Sequence, residues 1–125
     1  MSLEPMVKAY KLARRGKFDG AIRILEPIES RYYSSFNYYY LLGLCYINSR
    51  VYGAALANFR KARDLKGSDP RALLGLAALY LNHGDTDRAV DSYLDILELD
   101  EHNKLAGKAL KIIQKTLGLK TLLLG

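Results

Sequence analysis

The chain has no tryptophan, one cysteine, two histidines and three prolines in 125 residues. A single cysteine, Cys45, excludes an intramolecular disulfide. It also favours a reducing compartment, the cytoplasm, with an excised domain of an envelope or periplasmic protein as the alternative. Cys45 lies in the apolar stretch Leu41-Leu42-Gly43-Leu44-Cys45 and reads as a small core residue. The histidines, His83 and His102, each fall at an expected turn. They form no metal-ligand spacing and no nucleophile–base set. There is no phosphate loop or dinucleotide fingerprint. Asp85-x-Asp87 resembles the opening of a calcium loop, but the following ligands and glycine are missing, so helix capping explains it better. No catalytic residue, cofactor or metal is expected. No run of about 18 apolar residues exists, so no membrane span is expected. The start, Met1-Ser2-Leu3-Glu4-Pro5, lacks the basic-then-apolar order of a secretory signal. The ending, Leu119-Lys120-Thr121-Leu122-Leu123-Leu124-Gly125, is apolar but short, and its abrupt stop reads as the cut edge of a longer protein.

What is present is apolar residues in abundance, 50% of the chain, in a length that suits one domain. A chain of this size buries roughly two-thirds of its unfolded surface and needs no disulfide or metal. Glycine falls mainly between apolar stretches, the punctuation of helices joined by short turns.

The chain also repeats itself. At an offset of 34 residues six columns fall into register: Ala21, Ala55, Ala89; Ile22, Leu56, Val90; Leu25, Phe59, Tyr93; Ile28, Ala62, Ile96; Ala9, Gly43, Ala77; and Leu12, Tyr46, Tyr80. Gly16 and Gly84 align as well, with Arg50 between them. Such a period marks a stack of helix pairs. The small columns mark close approach of two helices, and the larger ones fill the gap to the next pair. Tyr39, Leu42, Gly43 and Tyr46 follow i, i+3, i+4, i+7 on one helix face, and Leu56, Phe59, Ala62 and Arg63 continue the pattern on a second helix. The expected helices are 5–15, 18–31, 35–49, 52–65, 70–83, 86–99 and 103–117. Asp69-Pro70 is an N-cap with proline in the first turn. Gly16 and Gly84 end first helices, and Asn103 caps the last. Pro27 falls inside the second helix and is expected to kink it or leave a carbonyl unpaired.

These residues resemble the tetratricopeptide repeat family, whose pattern is an aromatic, Leu-Gly, Tyr, Ala, Phe and Pro over 34 residues. Residues 36–69 read Tyr39-x-x-Leu42-Gly43-x-x-Tyr46, then Ala55-x-x-x-Phe59. Residues 70–103 read Leu73-x-x-Leu76-Ala77-x-x-Tyr80, then Ala89-x-x-x-Tyr93. The first unit is degenerate, with Pro5 and Lys8 at the aromatic and leucine positions, but Gly16-Lys17-Phe18-Asp19-Gly20-Ala21 matches well. The resemblance implies an all-α, right-handed α-solenoid of seven helices. It would hold three helix-turn-helix repeats, at about 2–35, 36–69 and 70–103, and a capping helix and tail over 104–125, in one domain. Terminal repeats need a polar outer face. Lys104, Lys108, Lys111 and Lys115 would supply it, while Leu105, Ala109, Ile112 and Thr116 would cover the third repeat.

In this family the first helix of each pair lines a concave groove. The matching positions are Met6, Tyr10 and Ala13; Asn37, Tyr40, Leu44, Ile47 and Asn48; and Arg71, Leu74, Ala78 and Asn82, with Lys108 from the last helix. The resemblance therefore implies a protein-interaction scaffold that holds a largely apolar peptide or helix, its asparagines serving a peptide backbone and its tyrosines supplying contact area. A subfamily clamps the terminal carboxylate of chaperone tails with Lys, Asn and Arg. The matching sites here are Met6, Tyr10, Leu41, Arg71 and Gly75, too few donors to offset the desolvation of a charged carboxylate. The tyrosine-rich stretch 31–40 places Tyr39 in the core and Tyr40 in the groove. Tyr32, Tyr33 and Tyr38 have no assigned duty beyond loop packing or an aromatic corner.

Net charge is +6, distributed as +3 over residues 1–35, +3 over 36–69, −5 over 70–103 and +5 over 104–125. An acidic block between basic ones is no continuous track for a phosphate backbone, so nucleic acid is a poor partner. A basic membrane-surface binder is the weakest reading. The alternation supports another: a homo-oligomer in which the basic last helix pairs with the acidic one, within a chain or between chains, helped by the apolar tail.

Overall fold

The computed structural model describes residues 4–116. Among them are seven α-helices and no strand: α1 (Glu4–Arg14), α2 (Phe18–Leu25), α3 (Phe36–Asn48), α4 (Tyr52–Leu65), α5 (Pro70–Asn82), α6 (Thr86–Leu99) and α7 (Lys104–Thr116). The expected boundaries hold to one residue everywhere except in the second helix. The chain falls into two compact units, Met1–Gly67 and Ser68–Gly125. In the first, α1 packs on α2, α2 on α3 and α3 on α4; in the second, α5 packs on α6 and α6 on α7.

Local chemistry sets these limits. The side chains of Ser35, Asp69 and Asp85 accept from the backbone N–H of Tyr38, Arg71 and Arg88, capping α3, α5 and α6. Asn103 Oδ1 accepts from Ala106 N–H at 3.0 Å at the start of α7. The turn between the two helices of each pair needs one residue at positive φ. Gly16 (φ 77°) and Gly84 (φ 79°) supply it, and Arg50 (φ 62°) takes the same conformation against its steric preference. A Cβ on Gly84 would meet nothing within 4 Å, so a substitution there is strained by backbone conformation alone. Gly84→Ala is expected to lose about 1 kcal/mol, whereas Arg50→Gly loses nothing and gains up to about 1 kcal/mol. Urea unfolding of the two variants checks this, and a loss in both would refute it.

Pro27 does interrupt its helix. α2 stops at Leu25, and Glu26–Arg31 continues as a 3-10 helix with Ile28 off helical geometry (φ −112°, ψ 17°). Ile22 O still accepts from the Glu26 N–H, but Pro27 has no N–H to serve as the next partner. Leu25 O finds one in the Tyr38 hydroxyl, which donates to it at 2.6 Å in a buried site.

The core of the first unit includes Ala9, Ala21, Leu25, Tyr38, Leu42, Cys45, Ala55, Phe59 and Ala62. That of the second includes Leu73, Leu76, Ala77, Leu79, Ala89, Tyr93 and Ile96, with Ala106, Leu110 and Ile113 from α7. Each fully buried Leu, Ile or Phe contributes roughly 1.5–3 kcal/mol relative to exposure.

Two expectations are corrected. Tyr38 is no loop residue: it is fully buried, with its ring stacked on that of Tyr32 at 5.3 Å. Tyr32 is buried too, and only Tyr33, 73% exposed, stays outside. On α7 the covering row is Ala106, Leu110 and Ile113, with Ala109 partly buried, whereas Leu105 and Ile112 are 65% and 64% exposed and Thr116 is exposed. One cause explains both. The 34-residue register continues past the visible columns and aligns Tyr38, Ala72, Ala106; Leu42, Leu76, Leu110; and Cys45, Leu79, Ile113, all nine buried. Packing follows that register, whereas the expectation for α7 took the row of Leu105, Ala109, Ile112 and Thr116, one residue away from it. The lysines Lys104, Lys108, Lys111 and Lys115 are exposed as expected. The apolar tail 119–124 lies outside the described residues.

Candidate functional site

In the first unit the expected groove positions fall on α1 and α3. Met6 and Ala13 are half-buried, and Tyr10 is 53% exposed with the Arg14 guanidinium carbon 5.8 Å from its ring centre. On α3, Asn37 and Asn48 are exposed while Tyr40, Leu44 and Ile47 are half-buried. The Tyr40 ring stacks on Phe36 at 5.7 Å and tilts against Phe59 at 6.0 Å, so its backing is the core and its remaining surface is open. Asn48 Nδ2 donates to Leu44 O at 2.8 Å, which fixes the amide against its own helix. Asn48 also borders a cleft of about 500 Å³ lined by Leu12, Lys17, Phe18, Asp19 and Arg23, with Ser49 Oγ donating to Asp19 Oδ1 at 2.9 Å on its rim. That cleft is not legible in the chain, because it lies between the turn after α1 and the end of α3.

In the second unit the matching positions are on α5. Ala78 and Asn82 are exposed. Leu74 is half-buried and packs against the core cluster of its own unit, so only part of it can meet a ligand. Arg71 is paired: its Nε and Nη2 donate to the Asp69 carboxylate at 3.0 and 2.7 Å. Leu81, 37% exposed, was absent from the expected set although it aligns with Ile47 at the 34-residue offset. Arg14, beside Tyr10, was also missed. The same offset was the available signal for Leu81; for Arg14 only helical i, i+4 spacing pointed to it.

The titrating groups that shift include buried and half-buried side chains and the exposed Glu29. Burial pushes the Cys45 thiol up to about 11, so it is protonated and a poor nucleophile at neutral pH. Burial raises the Tyr38 phenol well above its ordinary range. Burial and then the hydrogen bonds to Glu29 and Glu26 raise Tyr39 and Tyr46. Glu29 is lowered by the Lys61 ammonium at 3.1 Å and by the Tyr39 hydroxyl. Among the described residues no group of three or more His, Cys, Asp or Glu is placed to hold a metal ion, and no helix is long and apolar enough to cross a membrane.

Helix pairs repeating every 34 residues, with apolar surface left open on the first helix of each pair, define a helical-repeat protein of the interaction type. Residues 51–112 match the profile of the tetratricopeptide repeat family. With the repeat columns and the helix pairs, that match assigns the chain to this family. Solved structures agree on the fold. The first tetratricopeptide domain of Spaghetti (RPAP3), bound to an HSP90 peptide, superposes with a TM-score of 0.85 at 22% identity, covering 93% of this chain and 92% of its own. PcrH in complex with the chaperone-binding region of PopD gives 0.80 at 21% identity, covering 94% and 92%. The translocator chaperone SycD of Yersinia enterocolitica gives 0.76 at 16% identity, covering 92% and 87%. No curated protein shows a significant sequence match.

Proposed function

We propose that the chain is a non-catalytic adaptor that holds a largely apolar peptide or helix of another protein on the open faces of its first helices. The contacts would be Met6, Tyr10, Asn37, Tyr40, Leu44 and Asn48 in the first unit and Arg71, Leu74, Ala78 and Asn82 in the second. The observation that carries this reading is the partial exposure of Tyr10, Tyr40, Leu44 and Ile47 at positions where the sequence could have placed polar residues. Peptide complexes of similarly folded domains support it at the level of the fold. A charged tail held by a basic clamp fits poorly. Of the five clamp positions only Arg71 is basic, its guanidinium is held by Asp69, and Leu41 is buried. The lone buried thiol suits a reducing compartment, and the cytoplasm is the proposed location.

The test compares three baits in a lysate: wild type, Tyr10→Ala/Leu44→Ala, and Tyr33→Ala as an exposed control. A partner retained by wild type and control is expected to lose at least tenfold in affinity with the double variant, the loss of about 1.4 kcal/mol that truncating a contact residue brings. Equal recovery by all three would remove these faces from the proposal.

A further inference from the structure

The second unit carries two oppositely charged faces that leave each other unused. On α6, Asp87, Asp91, Asp95 and Glu98 are all exposed and lie on one side of the helix. On α7, Lys104, Lys108, Lys111 and Lys115 are all exposed, and the helix has no acidic residue. The two helices are in contact, yet among the described residues none of these eight groups forms an ion pair. Pairing within one chain is therefore not how their charge is balanced. The reason is placement. The lysines lie on the side of α7 opposite Ala106 and Ile113, the side chains buried in this unit. Beside the lysine row lie Leu105 and Ile112, 65% and 64% exposed, two apolar side chains that a solvated cap has no use for.

The two stripes also match in length. Asp87 to Glu98 and Lys104 to Lys115 each span twelve residues, eleven steps and roughly 16 Å of helix at about 1.5 Å per residue. We propose that this face of α7 is a docking surface for a second copy of the chain, whose α6 lays its carboxylates over the lysines while Leu105 and Ile112 are covered. A two-fold arrangement uses both stripes of both copies, since a self-complementary patch closes on itself. An anionic lipid surface would attract the α7 stripe and repel the four carboxylates of the same unit, so it fits half of what is there. Exposed ion pairs are individually weak and screened by salt, so the dimer is expected to be weak and salt-sensitive.

Charge reversal tests the proposal independently of any peptide partner. Lys108→Glu/Lys111→Glu reverses the centre of the α7 stripe and takes its charge from +4 to zero, and Asp91→Lys/Asp95→Lys reverses the centre of the α6 stripe and takes it from −4 to zero; all four positions are exposed, and circular dichroism verifies that each variant folds. Sedimentation equilibrium at about 50 mM salt should show wild type approaching twice the monomer mass as concentration rises, and a return to monomer at about 500 mM. Each variant alone should be weakened at least tenfold, and an equimolar mixture should recover the dimer mass, because each then meets its opposite. A Leu105→Ser/Ile112→Ser variant should weaken association at about 50 mM salt without changing the charge of either stripe. Wild type that stays monomeric throughout would overturn the proposal, as would a dimer indifferent to both reversals. So would a monomer that binds phosphatidylserine vesicles and loses them with the lysine variant, which would assign α7 to a membrane surface.

Discussion

Gly43→Ala is expected to destabilise the chain, although alanine is the better helix former by about 1 kcal/mol. A Cβ at Gly43 would sit 2.6 Å from Phe59 Cε1, 2.7 Å from Cδ1 and 3.0 Å from Cγ. Phe59 is fully buried, so its ring cannot swing aside. Overpacking of this kind costs about 1–3 kcal/mol, and contacts this short put the cost toward the upper end, so the net loss should be up to about 2 kcal/mol. The decisive comparison is the same substitution in a Phe59→Ala background. That background is itself less stable by about 3–5 kcal/mol, but it has no ring for the new methyl to meet. There Gly43→Ala should become stabilising by about 1 kcal/mol. Urea midpoints of the four proteins give the cycle, and a substitution effect of the same sign in both backgrounds would show that the ring contact is not what keeps position 43 a glycine.

The second large effect is alkaline. The phenols of Tyr38, Tyr39 and Tyr46 are raised by burial, and the carboxylates of Glu29 and Glu26 beside them add to the shift. In the unfolded chain they release protons near pH 10, while the folded chain keeps them. Above about pH 10 the unfolded state binds fewer protons, so stability falls as pH rises, by up to about 1.4 kcal/mol per pH unit for each phenol held neutral. Below about pH 10 their contribution is fully present. Tyr38 should dominate because it is the only one of the three with no exposed surface. Tyr38→Phe leaves Leu25 O without its 2.6 Å donor and should lose about 1–3 kcal/mol at about pH 8. It also removes one ionisable phenol, so its deficit should shrink as pH rises toward about 11.5. Unfolding curves of wild type and variant over that range test both parts. Parallel stability profiles would mean that the Tyr38 proton is not retained in the folded state.

The same tyrosine shows where reading the chain falls short. Its burial was hidden because Tyr32, Tyr33, Tyr38, Tyr39 and Tyr40 crowd one stretch, and helical spacing alone accounted for Tyr39 and Tyr40. Its hydroxyl also finds a partner in Leu25 O, thirteen residues earlier at the end of α2. On α7 helical spacing offers Leu105, Ala109, Ile112 and Thr116 as a covering row, yet Ala106, Leu110 and Ile113 cover the unit. The 34-residue offset contained that answer in both cases, once extended to the columns headed by Tyr38, Leu42 and Cys45.

By itself the sequence determined six of the seven described helices to within one residue at each end, the caps at Asp69, Asp85 and Asn103, the glycine turns at residues 16 and 84, and the family resemblance. These follow from near neighbours along the chain and from a repeat that shows the same choices more than once. Only the tertiary structure decided that the Tyr38 hydroxyl meets Leu25 O and that the charged rows of α6 and α7 do not pair with each other. Those outcomes depend on distances between residues far apart in the chain, and on the rotation of each helix about its axis, which burial against neighbouring helices fixes.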